Sequence, residues 1–204
     1  MNTFTIRAAA AVASVLCATA AHAVVVGDQL VANPTMSAYT VTPGSGYRVP
    51  DNWACTNFPR FNRRCSYLDT RLGILSRKPG NTPSSRQAAP VNPTWWQTIT
   101  VPVAGLYDVE AVANKLRGST NFFEVANQAI VITVAGVEVL SVPDSAMGSG
   151  PVGTHGPSVT INKLARLKAG SNTLSIGLRY PANPDSYAGY TFFVDTLSIR
   201  YVSP

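Results

Sequence analysis

The sequence predicts an all-β sandwich of antiparallel strands, and two stretches carry that prediction. Residues 100–112 (TVPVAGLYDVEAV) and 167–176 (LKAGSNTLSI) each read as a strand, a tight glycine turn and a second alternating run. This is how antiparallel strands are written when one face is buried. A third observation agrees: no segment after residue 23 has the periodicity of a helix longer than one or two turns.

From Thr94 onward the apolar period is two. Ile99, Val101 and Val103 alternate with Thr and Pro, and Tyr107, Val109, Ala111 and Ala113 alternate with Asp108, Glu110 and Val112. Residues 130–134 (IVITV) and 137–140 (VEVL) flank Ala135-Gly136, a two-residue connection suited to a hairpin. Residues 148–157 (GSGPVGTHGP) form a turn-rich loop, and residues 162–167 read as a single helical turn. Leu174, Ile176, Leu178 and Tyr180 write a further strand, and Leu197, Ile199 and Tyr201 share one parity of the last. About eight strands result, the number of a jelly roll, preceded by a loop-rich N-terminal arm.

Ahead of the sandwich the chain changes character. Arg7, the apolar run Ala8–Ala20 and the A-x-A site at residues 21–23 read as a secretory signal, giving a secreted or periplasmic protein starting at about Val24. That apolar run is too short for a spanning helix, which needs about 20 residues. Residues 24–94 then form the arm and residues 95–204 the sandwich, with a Pro-rich linker over 78–94 between them. Short strands are read at residues 24–31 and 38–41, and residues 67–75 fit either a strand or one to two helical turns. Cys55 and Cys65, the two cysteines beyond the signal, are expected to form a disulfide. In the loop-entropy model it contributes a little under about 3 kcal/mol, ordering a local loop. The chain has a net charge of +6, concentrated in Arg48, Arg60, Arg63, Arg64, Arg71, Arg77, Lys78 and Arg86, whereas the sandwich is balanced. An exported basic segment suits acidic surface polymers and disfavours nucleic acid.

Four segments together, TVPVAGLYDVEAV, VITVAGVEVL, LKAGSNTLSIGL and FVDTLSIRYV, resemble the galactose-binding-like jelly rolls, particularly the carbohydrate-binding modules of secreted glycosidases. The match covers residues 95–203 and lies at turn and core positions. It implies a non-catalytic, lectin-like protein, and a structural calcium with Asp195 as ligand. The glutamate pair that helps bind that calcium in the family's first strand is absent before Thr100. The chain is similar also to complement-like and tumour-necrosis-factor-like jelly rolls, which implies a self-associating structural or adhesive subunit, a homo-oligomer.

Candidate site residues follow from the aromatics. Trp96, Tyr180, Tyr187 and Tyr190, with Arg179 beside them, are expected to bind ligand. Because Trp95 and Trp96 are adjacent on a strand, at most one of them lines a site. Asp195 shares parity with Phe193, Leu197 and Ile199, so a regular strand would bury its carboxylate; partners or a bulge must resolve this. Asp108 and Glu110 stand about 7 Å apart on one strand face, a spacing found in glycosidases, but they read as solvent-face residues. His155 is the sole histidine beyond the signal and lacks a nucleophile motif around it, so no catalytic residue is expected.

Overall fold

The computed structural model describes residues 25–43, 48–55, 65–68, 70–75, 94–117, 128–179 and 190–204. These contain twelve strands: β1 (Tyr39–Val41), β2 (Arg48–Pro50), β3 (Ala54–Cys55), β4 (Cys65–Leu68), β5 (Arg71–Leu75), β6 (Trp95–Val101), β7 (Gly105–Arg117), β8 (Ala129–Val134), β9 (Val137–Pro143), β10 (Val159–Leu167), β11 (Gly170–Arg179) and β12 (Tyr190–Ser203). One 3-10 turn, Asp144–Ala146, follows β9. The expected signal, residues 1–23, and the expected linker, apart from Thr94, lie outside the described residues.

Two five-stranded antiparallel sheets form a jelly-roll sandwich. We call them sheet I, in the order β10-β7-β12-β5-β4, and sheet II, in the order β3-β6-β11-β8-β9; β1 and β2 make a separate pair. The two glycine turns that announced the fold do not close hairpins. β6 lies in sheet II and β7 in sheet I, β11 in sheet II and β10 in sheet I. Each turn therefore carries the chain from one sheet to the other, and pairing runs across: Trp95 to Val101 with Ile176 to Gly170, then Gly105 to Ala113 with Leu167 to Val159. At the crossing, a Cβ on Gly105 would stand 2.5 Å from the Ser203 carbonyl oxygen, so glycine is required there for space. The Tyr107 hydroxyl donates to the Val103 carbonyl at 2.7 Å, and its ring meets Tyr201 edge-on at 5.3 Å. The Ala135-Gly136 hairpin forms as expected, both residues taking the positive φ (51° and 77°) that a tight two-residue turn demands.

The expected helical turn at 162–167 is strand instead. β10 runs unbroken along β7 as the edge of sheet I, and its mixed sequence reflects exposure on an edge. The strand-or-helix ambiguity at 67–75 resolves into the β4–β5 hairpin.

The division at residue 94 is corrected by the structure. β3 pairs with Trp95 and Trp96, and β5 pairs with Thr191 to Val194, so parts of the expected arm are strands of both sheets. Val31, Met36, Trp53, Leu72 and Ile74 join the core. Residues 27–34 run beside the part of β12 that β5 leaves free: Gly27 N–H bonds the Tyr201 carbonyl, Leu30 N–H the Ile199 carbonyl, and Leu197 N–H the Pro34 carbonyl. Buried Gln97 holds this strap from sheet II, accepting from Ala32 N–H at 3.0 Å and donating to its carbonyl at 3.2 Å. Such segments are too short to show which sheet they join: the strand expected at residues 24–31 is a strap with one isolated bridge, Gln29 to Arg200, and Ala54-Cys55 carries no period at all.

The Cys55–Cys65 disulfide is present, with its Cα atoms 6.5 Å apart. It joins β3, one edge of sheet II, to β4, one edge of sheet I. Beyond ordering a local loop, it staples the sandwich along one open side. Replacing both cysteines by serine is expected to lower Tm by roughly 5–10 °C, from a loss of about 3 kcal/mol. Thermal melts of the two proteins under oxidising conditions check this, and equal Tm values would mean that the bridge adds nothing to the stability of the sandwich.

Burial pushes the phenol pKa of Tyr107 and of Tyr67 above the ordinary 10.0; the Tyr67 hydroxyl donates to the Met36 carbonyl. A folded-state pKa above the unfolded value means the unfolded chain loses its proton first. The stability these groups supply is thus complete below pH 10 and is lost as pH rises through their folded values. Melts at pH 8 and pH 11 should show a smaller alkaline drop in a Y67F/Y107F variant than in the parent, although the variant starts about 1 kcal/mol lower per lost hydrogen bond.

Candidate functional site

The outer face of sheet II carries an open candidate site. Alternation along β6 turns Trp95 inward, fully buried with its indole N–H donating to the Gly73 carbonyl at 3.0 Å, and turns Trp96 outward, 40% exposed. One tryptophan is core and the other surface, as adjacent strand residues must be. Strand register then extends a row of side chains from Trp96 across the sheet: Ala54 on β3, Trp96 on β6, Ser175 on β11, Thr133 on β8 and Glu138 on β9. The Ser175 and Thr133 hydroxyls hydrogen-bond at 2.7 Å. With strands about 4.8 Å apart, Trp96 to Glu138 spans roughly 14 Å.

An open cleft of about 350 Å³ lies along this row, lined by Thr94, Val131, Thr133, Glu138, Ser175, Gly177, Leu178 and Arg179. Gly177 is opposite Val131, and the absence of a side chain there deepens the cleft between Thr94 and Val131. Arg179 Nη2 donates to Glu138 Oε2, forming an ion pair across β8, with both side chains part-exposed. An aromatic face, a set of hydroxyls, and a paired donor and acceptor make a surface able to stack on one molecule and hydrogen-bond it at several points.

The structure brings Trp96 and Arg179 together on this sheet. Tyr190 is separated from them: its backbone pairs with Arg117 in sheet I. Tyr180 and Tyr187 lie outside the described residues. Thr94, Thr133, Ser175 and Glu138 were missed by the sequence reading. Alternation marks them only as outward-facing, and nothing local shows which outward face is concave.

Asp195 belongs to a second cluster, on sheet I. β12 bulges at this residue, between Val194 and Thr196, and the bulge turns the carboxylate away from the core parity that a regular strand would impose. Its oxygens receive Arg71 Nε at 2.8 Å, Asn114 Nδ2 at 2.9 and 3.0 Å, and Ser158 Oγ at 2.8 Å. Asn114 Oδ1 in turn accepts from His155 Nδ1 at 2.8 Å, and the His155 ring packs edge-on against Phe193 at 4.7 Å. This network ties the glycine loop to sheet I. Loop backbone reinforces it, with Gly153 N–H to the Arg117 carbonyl and Gly156 N–H to the Lys115 carbonyl. The calcium expected at Asp195 therefore meets a carboxylate already neutralised by a guanidinium. No group of three or more His, Cys, Asp or Glu suited to a metal occurs among the described residues.

A buried ion pair fixes the same end of the sandwich from inside. Lys115 Nζ is 2.6 Å from Asp144 Oδ1 and 3.2 Å from the Asp144 carbonyl oxygen, and both side chains are almost wholly buried. Asp108 and Glu110 face outward in a regular ladder, opposite Arg200 and Ser198. They form the polar outer face of sheet I, away from the cleft.

No known protein-family description matches the sequence, and no curated protein matches it. Among solved structures, a carbohydrate-binding module of the CBM4 type is similar, with 11% identity, 83% of this chain and 98% of that one covered, and a TM-score of 0.48. A module from Cellvibrio mixtus lichenase 5A in complex with cellotriose covers 87% of this chain and 99% of its own at 13% identity, TM-score 0.36. An apo cyclase from Fischerella sp. covers 87% and 98% at 9% identity, TM-score 0.45. The likeness is one of fold. No helix of the described residues is long and apolar enough to cross a membrane.

The buried pair gives a stability test independent of any ligand. Lys115→Met alone leaves Asp144 buried and uncompensated and should cost about 3–5 kcal/mol, whereas K115M/D144L should recover most of that loss. Urea unfolding of the three proteins measures both, and equal stability of parent and K115M would remove the pair from the account of the fold.

Proposed function

We propose that this chain is an exported, non-catalytic carbohydrate-binding protein that takes its ligand on the outer face of sheet II. The observation that carries the reading is the exposed Trp96 indole at the head of a row of hydroxyls, beside an open cleft. Sugar rings present apolar C–H faces and a rim of hydroxyls. A flat indole matches the first, and Ser175, Thr133 and the Arg179–Glu138 pair match the second. The site stands on strands rather than loops, so its spacing is set by the sheet and little ordering cost falls on binding. Support for export comes from the signal-like residues 1–23 and from the disulfide, which persists in oxidising compartments. A binding role is favoured over catalysis because, among the described residues, Glu138 is the one carboxylate lining the cleft, paired with Arg179 and without the second acid that glycoside hydrolysis uses.

The test is Trp96→Ala, assayed by affinity electrophoresis in gels containing soluble polysaccharides. The variant should bind at least about tenfold more weakly, or about 1.4 kcal/mol, with an unchanged far-ultraviolet circular-dichroism spectrum, because Trp96 is an exposed residue outside the buried core. Undiminished retardation of W96A would place the ligand elsewhere.

A further inference from the structure

The charges of the sheet II face point to the class of glycan it selects; this step rests on the carbohydrate reading of that face. Thr94, Val131, Thr133, Ser175 and Gly177 in the cleft and Trp96 beside it are uncharged, and among the described residues the charged groups lining the cleft are Arg179 and Glu138, joined to each other. Free, a guanidinium is the side chain best shaped to grip a carboxylate, through two parallel N–H bonds. Here Glu138 already supplies that carboxylate. A uronic acid entering the cleft must displace Glu138 from Arg179 or lie beside it, within the roughly 8 Å over which charges interact at physiological salt. A neutral sugar meets no such repulsion, and the pair still offers it N–H donors and carboxylate lone pairs. Selecting against one ligand by a placed like charge is an established route to specificity.

We infer that Glu138 is a specificity-determining residue, which makes the site a receptor for neutral polysaccharides and excludes acidic ones. Because the pair is part-exposed, it contributes little to folding, and its removal leaves the sheet intact. Removing Glu138 alone takes this carboxylate from Arg179 and leaves the Trp96 face and the Ser175 and Thr133 hydroxyls in place.

Two matched pairs of probes test this: hydroxyethylcellulose against carboxymethylcellulose, and fully methyl-esterified polygalacturonate against polygalacturonate. Affinity electrophoresis at low and high NaCl is run on the parent, W96A, E138Q and E138Q/R179A. The parent should be retarded by a neutral member, independently of salt, and not by its acidic partner. E138Q should gain about tenfold in affinity for the acidic partner, and the gain should vanish with added NaCl and in E138Q/R179A. Parent protein that binds the acidic partner as tightly as the neutral one overturns the inference. So does E138Q that gains nothing while Trp96-dependent neutral binding persists, and in that case the carbohydrate reading stands. If none of the four probes retards the parent, both fall together.

Discussion

The structure depends on one antiparallel ribbon that is bent over on itself. Residues 95–117 pair with residues 159–179 along almost their whole length, and both strands of the ribbon cross between sheets at the same place, around residues 102–104 and 168–169. Because side chains alternate, folding such a ribbon presses one of its faces against itself and turns the other outward on both sides. Trp95, Ile99, Val101, Leu174, Ile176 and Leu178 from one half, with Tyr107, Val109 and Ala111 from the other, become core by that single bend. The outer faces have no reason to be alike, and they are not. Sheet I shows Asp108, Glu110 and Arg200 to solvent, and sheet II shows tryptophan, hydroxyls and a closed ion pair.

The remaining segments close what the ribbon leaves open. The strap at residues 27–34 and β5 share the free side of β12, and the disulfide joins the sheet edges at β3 and β4. At one end of sheet I, Asp195 holds the glycine loop from outside while Lys115 and Asp144 hold the 3-10 turn from within. Apart from the disulfide, these devices are hydrogen bonds and ion pairs that give buried or half-buried polar groups a partner within the chain.

The fold class was legible because strands such as β6, β7 and β11 alternate over long stretches after residue 94. What local pattern cannot express is partnership. A glycine between two alternating runs announces a reversal of direction, yet it does not distinguish a hairpin within one sheet from a crossing between two, and both opening segments proved to be crossings. Partnership is also why the boundary at residue 94 failed: Ala54-Cys55 is two residues long, and only its pairing with Trp95 and Trp96 makes it a strand. For the site, parity was informative at Trp95 and Trp96 and at Asp195, where a carboxylate on core parity signalled the bulge that the backbone shows. Asn114 and His155 carried no signal, since their roles arise from a loop folding back over sheet I.

β12 occupies the centre of sheet I, with β7 on one side and β5 on the other, and it is the last of the twelve strands in chain order. Strands β4 and β5 emerge early and have no strand partner in the sheet beyond each other until residues 190–203 arrive to join them to it. The order of synthesis and the order of assembly therefore run opposite ways. An incomplete chain holds exposed strand edges and half a core, a state open to wrong pairing with other chains. Contacts between sequence-distant strands make the closing step slow. Anything that keeps the chain extended until its last strand is made would favour the native sandwich over aggregates.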